Sequence, residues 1–111
     1  MIKNLILAGA LLAVISSCKM ENPFLTESKA PFGAPEFDKI KIEHYLPAFE
    51  EGMKQQKAEV DFIIKNRAMP DFQNTILAYD KSGELLNKVS NIFFNLTECI
   101  SNDEMQKIAA E

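Results

Sequence analysis

Glu84-Leu85-Leu86-Asn87-Lys88-Val89-Ser90-Asn91-Ile92-Phe93-Phe94-Asn95-Leu96-Thr97-Glu98-Cys99 is the stretch that decides the fold. Leu85, Val89, Ile92 and Leu96 recur at helical spacing, and Leu86, Phe93 and Ile100 follow at steps of seven. That is the period of a helix face and not the alternation of a strand. Ile76 and Leu77 extend the stripe upstream, so the pattern predicts one long helix from Phe72 or Asn74 to about Cys99. At about 1.5 Å per residue it would be near 40 Å long. Gly83 lies inside it and reads as a point of close packing. Ile92, Phe93 and Phe94 cover more than one face, so this helix should pack on two neighbours.

Upstream, Tyr45, Phe49, Met53, Val60, Ile63 and Ile64 form a second apolar stripe, with Glu50, Glu51, Lys54, Lys57, Glu59 and Asp61 on the other faces. A helix from about Glu43-His44 to Asn66 follows. Pro47 is compatible with its first turn, where a missing N–H has no helical partner. Gly52 inside it costs about 1 kcal/mol against alanine. Pro70 separates the two helices, and so short a connection makes an antiparallel pair. Downstream, Ser101 and Glu104 have capping-box spacing and predict a third helix over Met105–Glu111. The expected fold class is all-α. It comprises an extended N-terminal arm, a long antiparallel helical hairpin and the start of a third helix, as part of a larger helical fold. No C-cap glycine or closing basic turn follows that start.

Before the helices, residues from Lys19 to Lys41 hold Pro23, Pro31, Pro35 and Gly33. Proline blocks helix continuation and biases the preceding residue to extended geometry. This is an arm, and Phe24, Leu25, Phe32 and Phe37 on it should dock against something. Before the arm, Met1-Ile2-Lys3-Asn4 is followed by the apolar run Leu5–Ile15 and then by Ser16-Ser17-Cys18. A short basic start, an apolar run of about 11 residues and small residues before a cysteine are the parts of a signal peptide. A span needs roughly 20 apolar residues, so the run is short for a permanent one. Ile15-Ser16-Ser17-Cys18 resembles the bacterial lipobox, although leucine is more usual at the position of Ile15. The expected organisation is a signal peptide over 1–17, a lipid anchor and arm over 18–41 with lipidation at Cys18, and an incomplete helical domain over 42–111. The product would be exported and held as a membrane-anchored lipoprotein of a bacterial cell envelope.

The 111 residues carry 12 Lys and Arg against 16 Asp and Glu. No basic patch stands out, which argues against a nucleic-acid partner. Removing residues 1–17 would leave roughly 94 residues, one small domain or a piece of a larger one. With Cys18 committed to lipid, Cys99 is a lone thiol whose spacing matches no metal motif. His44 is the single histidine, read as a helix-start or surface residue. Glu50 and Glu51 point about 100° apart on a helix and cannot share a substrate. Asn95-Leu96-Thr97 fits a glycosylation sequon, but it sits mid-helix and after a bacterial-type lipobox. No catalytic and no metal-binding residue is assigned.

Four separated stretches carry a resemblance: Asn22-Pro23-Phe24-Leu25, then Phe37-Asp38-Lys39-Ile40-Lys41-Ile42-Glu43-His44-Tyr45-Leu46-Pro47-Ala48-Phe49-Glu50, then Phe72-Gln73-Asn74-Thr75-Ile76, and then Phe93-Phe94-Asn95-Leu96. In this order they resemble the N-terminal region of the zinc metallopeptidase family of peptidyl-dipeptidase (Dcp), oligopeptidase A and thimet oligopeptidase. The likeness is greatest to the bacterial peptidyl-dipeptidases. The resemblance implies a large helical hydrolase that cleaves short peptides in a channel between two lobes, releasing dipeptides from the C-terminal end. It also implies zinc, held by two histidines and a glutamate around a His-Glu-x-x-His motif, lowering the pKa of a bound water. That motif has no counterpart here, so no cofactor site is carried over and the chain alone should be inactive. The stretch would wall the substrate channel. The alternative is a non-catalytic helical lipoprotein that acts as an interaction module.

Overall fold

The structure is a computed structural model that describes residues 21–111; the expected signal peptide and Cys18 lie outside the described residues. Among the described residues the regular elements are all helical. A 3-10 turn over Ile42–His44 leads into α1, Tyr45–Lys65. A π-helical turn over Phe72–Leu77 leads into the short α2, Ala78–Asp80. Helix α3 spans Glu84–Cys99 and α4 spans Asp103–Ala110.

Helices α1 and α3 run antiparallel. Tyr45 and Phe49 meet Phe93, with ring centroids at 4.9 and 5.4 Å. Two turns further along α1, Gly52 lies against Leu86. Two turns beyond that, Glu59 reaches Gly83. Numbers rise along one helix as they fall along the other. At Gly52 backbone meets backbone: a Cβ there would stand 3.0 Å from the Leu86 Cα and backbone N. The glycine that interrupts the α1 pattern is therefore what lets the two backbones meet.

The core sits at the Tyr45/Phe93 end. Phe24, Tyr45, Ala48, Val89, Ile92, Phe93 and Met105 are buried there, with Ile40, Phe49, Leu96 and Ile108 packed around them. Phe93 and Val89 are fully buried. Tyr45 and Phe49 each pack edge-to-face with Phe93, the arrangement that sets the positive edge of one ring on the negative face of the other. Burying a phenylalanine stabilises a fold by about 1.5–3 kcal/mol. Helix α4 closes the core from one side with Met105, and the arm closes it from another with Phe24, whose ring is 5.2 Å from that of Tyr45.

The all-α fold class and the hairpin agree with the sequence reading, and three details differ. The second long helix is broken. Lys81–Gly83 form a turn, and Gly83 adopts φ +75°, a left-handed conformation that glycine enters without a Cβ penalty. Gly83 is thus a break as well as the point of close packing that periodicity suggested, since a Cβ there would stand 2.7 Å from the Gln56 side chain of α1. The third helix is capped by Asn102, whose side chain accepts from Met105 N–H at 2.9 Å, and not by Ser101. Asn102 holds extended backbone, which a capping residue needs. Of the four large apolar residues expected to dock from the arm, only Phe24 does. Leu25, Phe32 and Phe37 are exposed, and Phe32 is fully so, with φ +61° at the tip of the Pro31–Gly33 turn.

Candidate functional site

The arm is tied to the hairpin by a small polar network. Asn22 accepts from the Phe24 N–H at 3.0 Å and donates through Nδ2 to the His44 carbonyl at 2.8 Å. His44 Nδ1 accepts from the Lys41 N–H at 3.0 Å, and the His44 N–H donates back to the Lys41 carbonyl at 3.0 Å. Both side chains are buried. Buried polar groups need partners, and each side-chain group here bonds a main-chain atom of the arm or of the turn into α1. Asn22 turns the chain so that Phe24 points at Tyr45. His44 stands at the helix start, as expected, but inside the fold and not on its surface. Its Nδ1 serves the turn.

The two carboxylates with lowered pKa are solvated and bonded locally. Glu51 is held below the ordinary carboxylate range, first by the side-chain hydrogen bond from Gln55 and then by that from Lys54. Its partners lie on its own helix and Glu50 is not among them. Glu36 is lowered chiefly by its hydrogen bond from Lys39. Burial pushes the Tyr45 hydroxyl above its ordinary value. Cys99 is a free, exposed thiol. Among the described residues no three His, Cys, Asp or Glu side chains gather closely enough to hold a metal ion. Nor is any helix there long and apolar enough to cross a membrane.

What the molecule does present is apolar surface. Between α1, α3 and α4 a groove of ≈ 340 Å³ is floored by Phe49 and Phe93 and walled by Leu46, Met53, Phe94 and Ile108. Met53 and Phe94 are each about half exposed. At the other end of the hairpin Phe62, Ile64, Met69, Phe72, Ile76 and Tyr79 are all more than half exposed. Surface patches of this kind mark contact sites for protein, membrane or ligand.

The periodicity of α3 already showed an apolar surplus in Phe94, but not the groove, which needs α4 beside it. Asn22 carried a signal that can be read only with hindsight: Asn before Pro-Phe is a residue type that turns a chain by bonding its own backbone two residues on.

A helical hairpin with much exposed apolar surface, and with no metal-holding cluster among the described residues, defines the class first: an all-helical segment. Its relatives are larger proteins. The chain is 53% identical over 87 residues to the dipeptidyl carboxypeptidase of Escherichia coli, which is 78% of this chain and 13% of that protein. It is 47% identical over 87 residues to the dipeptidyl carboxypeptidase of Salmonella typhimurium, with the same shares. The resemblance to the Dcp-like peptidases is borne out by these identities, and the chain spans 13% of the length of these relatives. No family model matches it.

Proposed function

We propose that this chain is the N-terminal helical part of a lipid-anchored zinc metallopeptidase of the peptidyl-dipeptidase type, which hydrolyses short peptides. The identity of about half of 87 aligned residues to two dipeptidyl carboxypeptidases carries this reading. In it the hairpin walls the substrate channel and contributes no reacting group. The described residues do not fit a zinc site: His44 Nδ1 is engaged by Lys41 and no ligand set gathers around it. No step of hydrolysis is therefore routed through them. Cys18 would hold the protein at the cell envelope, by several acyl chains, since one alone holds only marginally.

A graft tests the channel-wall role. The 87 matched residues of the Escherichia coli dipeptidyl carboxypeptidase are replaced by those of this chain, and release of dipeptides from an N-terminally blocked peptide is measured. The expected result is a folded enzyme that still releases dipeptides. A graft that unfolds or releases none contradicts the reading. Mass spectrometry of the natural N-terminus tests the anchor: acylated Cys18 supports it, and an unmodified residue after cleavage elsewhere contradicts it.

A further inference from the structure

The groove between α1, α3 and α4 has a shape and a charge that specify what covers it. Its floor is the buried Phe93 and the half-buried Phe49, and its walls include Met53 and Phe94, which stand about half exposed. Glu50 lines it. A shallower depression adjoins it, shares Leu46 and Ile108, and brings Glu43 and Glu104 to the rim, with Lys41 and Lys107 as the basic groups there. Lys41 is already 3.8 Å from Glu43. The rim thus carries more carboxylate than ammonium. An apolar channel between helices, lined by three phenylalanines and edged by acid, fits the apolar stripe of another helix.

The relatives supply the source of that helix. The matched stretch is 13% of each of them, so most of their polypeptide lies outside it. We propose that this groove receives a helix from the rest of the same polypeptide, with an aliphatic stripe seated on Phe49 and Phe93 and Lys or Arg flanks facing Glu43, Glu50 and Glu104. This rests on the reading of the chain as part of a larger peptidyl-dipeptidase-type protein. Met53 and Phe94 become buried on seating. Acidic side chains at the rim fix the register of the incoming helix, because mispaired like charges are disfavoured.

The test uses the grafted Escherichia coli enzyme. Phe94→Glu and Met53→Glu are compared with Lys57→Glu, which puts the same charge at an exposed position of α1 outside the groove. The groove variants should lower the thermal midpoint by about 5 °C or more, and Lys57→Glu by about 1 °C or less. Glu50→Lys should lower it by an intermediate amount that shrinks at high salt, which loss of packing alone would not do. A graft that is active and tolerates Phe94→Glu and Met53→Glu as well as Lys57→Glu overturns the groove assignment and leaves the peptidase reading standing. A graft that is folded and active, but in which cross-links from position 94 reach only a second copy, overturns it in favour of self-association. A graft that fails before any substitution removes the reading and the inference together.

Discussion

The two ends of the hairpin are built from the same helices and differ in what closes them. At the Tyr45/Phe93 end four segments converge, and Phe24, Tyr45, Phe93 and Met105 bury one another. At the far end Phe62, Phe72, Ile76 and Tyr79 face outward, and order comes from backbone and polar contacts. Glu59 accepts from the Gly83 N–H at 2.7 Å, and Asp71 and Asn74 cap the π-helical turn reciprocally at 2.7 and 2.9 Å. One end is stabilised by removing apolar area from water. The other is held by hydrogen bonds whose net worth is about 0.5–1.5 kcal/mol each. The contrast teaches that helical periodicity marks apolar faces alike at both ends, while the described residues bury them at one end only.

Truncation at the two ends separates them most. Phe93→Ala should cost about 3–5 kcal/mol, because a fully buried ring leaves a cavity among Tyr45, Phe49 and Val89. Phe72→Ala at the open end should stay within about 0.5 kcal/mol in the 111-residue chain. Denaturant midpoints measure both, and similar losses would erase the distinction. Gly52→Ala comes next. Helix propensity alone would favour alanine by about 1 kcal/mol. The added Cβ meets Leu86 backbone atoms 3.0 Å away, which cannot move without the helix. Overpacking costs about 1–3 kcal/mol, so a net loss is expected. A gain in midpoint would mean that the hairpin can spread.

Glu59→Ala should cost about 1 kcal/mol by removing the carboxylate that receives the Gly83 N–H. Melting followed by circular dichroism would show it, and an unchanged midpoint would free the α2–α3 turn from α1. The smallest effect is one of pH. Burial raises the Tyr45 hydroxyl above its ordinary value. The neutral form is thus favoured in the folded state, and its contribution is complete below about pH 10, the unfolded value. It is lost as pH rises through the folded value, because the unfolded state ionises first. Tyr45→Phe should flatten that alkaline decline, and an unaltered decline would place its cause elsewhere.

Much of this was legible in the residues. Apolar spacing located α1 and α3, and Pro47 and Pro70 bracketed the first helix; the surplus at Phe94 is there as read, but stays half exposed. Three features were not legible, for a common reason. Gly52 and Gly83 look alike in a helical pattern, and only the partner backbone and the local φ tell a close approach from a break. Ser101 and Asn102 are both good caps, and which one holds extended backbone depends on how α4 meets the core. Phe24 and Phe32 are equally apolar, but Asn22 turns one inward while the turn at Pro31–Gly33 carries the other out. The groove was invisible because it is shared by three helices. The resemblance to the peptidyl-dipeptidases was carried by short motifs that include Asn22, His44 and Asn74, and in the fold each of these bonds main chain at a turn.

Hydrogen exchange of the 111-residue chain, alone and grafted into the Escherichia coli dipeptidyl carboxypeptidase, tests the central claim most directly. In the chain alone, amides of 87–96 and 49–52 should be protected and those of 72–80 should exchange quickly, because local stability follows buried contacts. In the graft, protection over 72–80 should rise about 100-fold or more, a change of roughly 2.7 kcal/mol, as further helices cover Phe72, Ile76 and Tyr79. The contrary result is protection over 72–80 that already equals that of Phe93 in the chain alone, or that stays low in the active graft. Either outcome would show that the open end needs no cover and that the hairpin is not a wall of a larger fold.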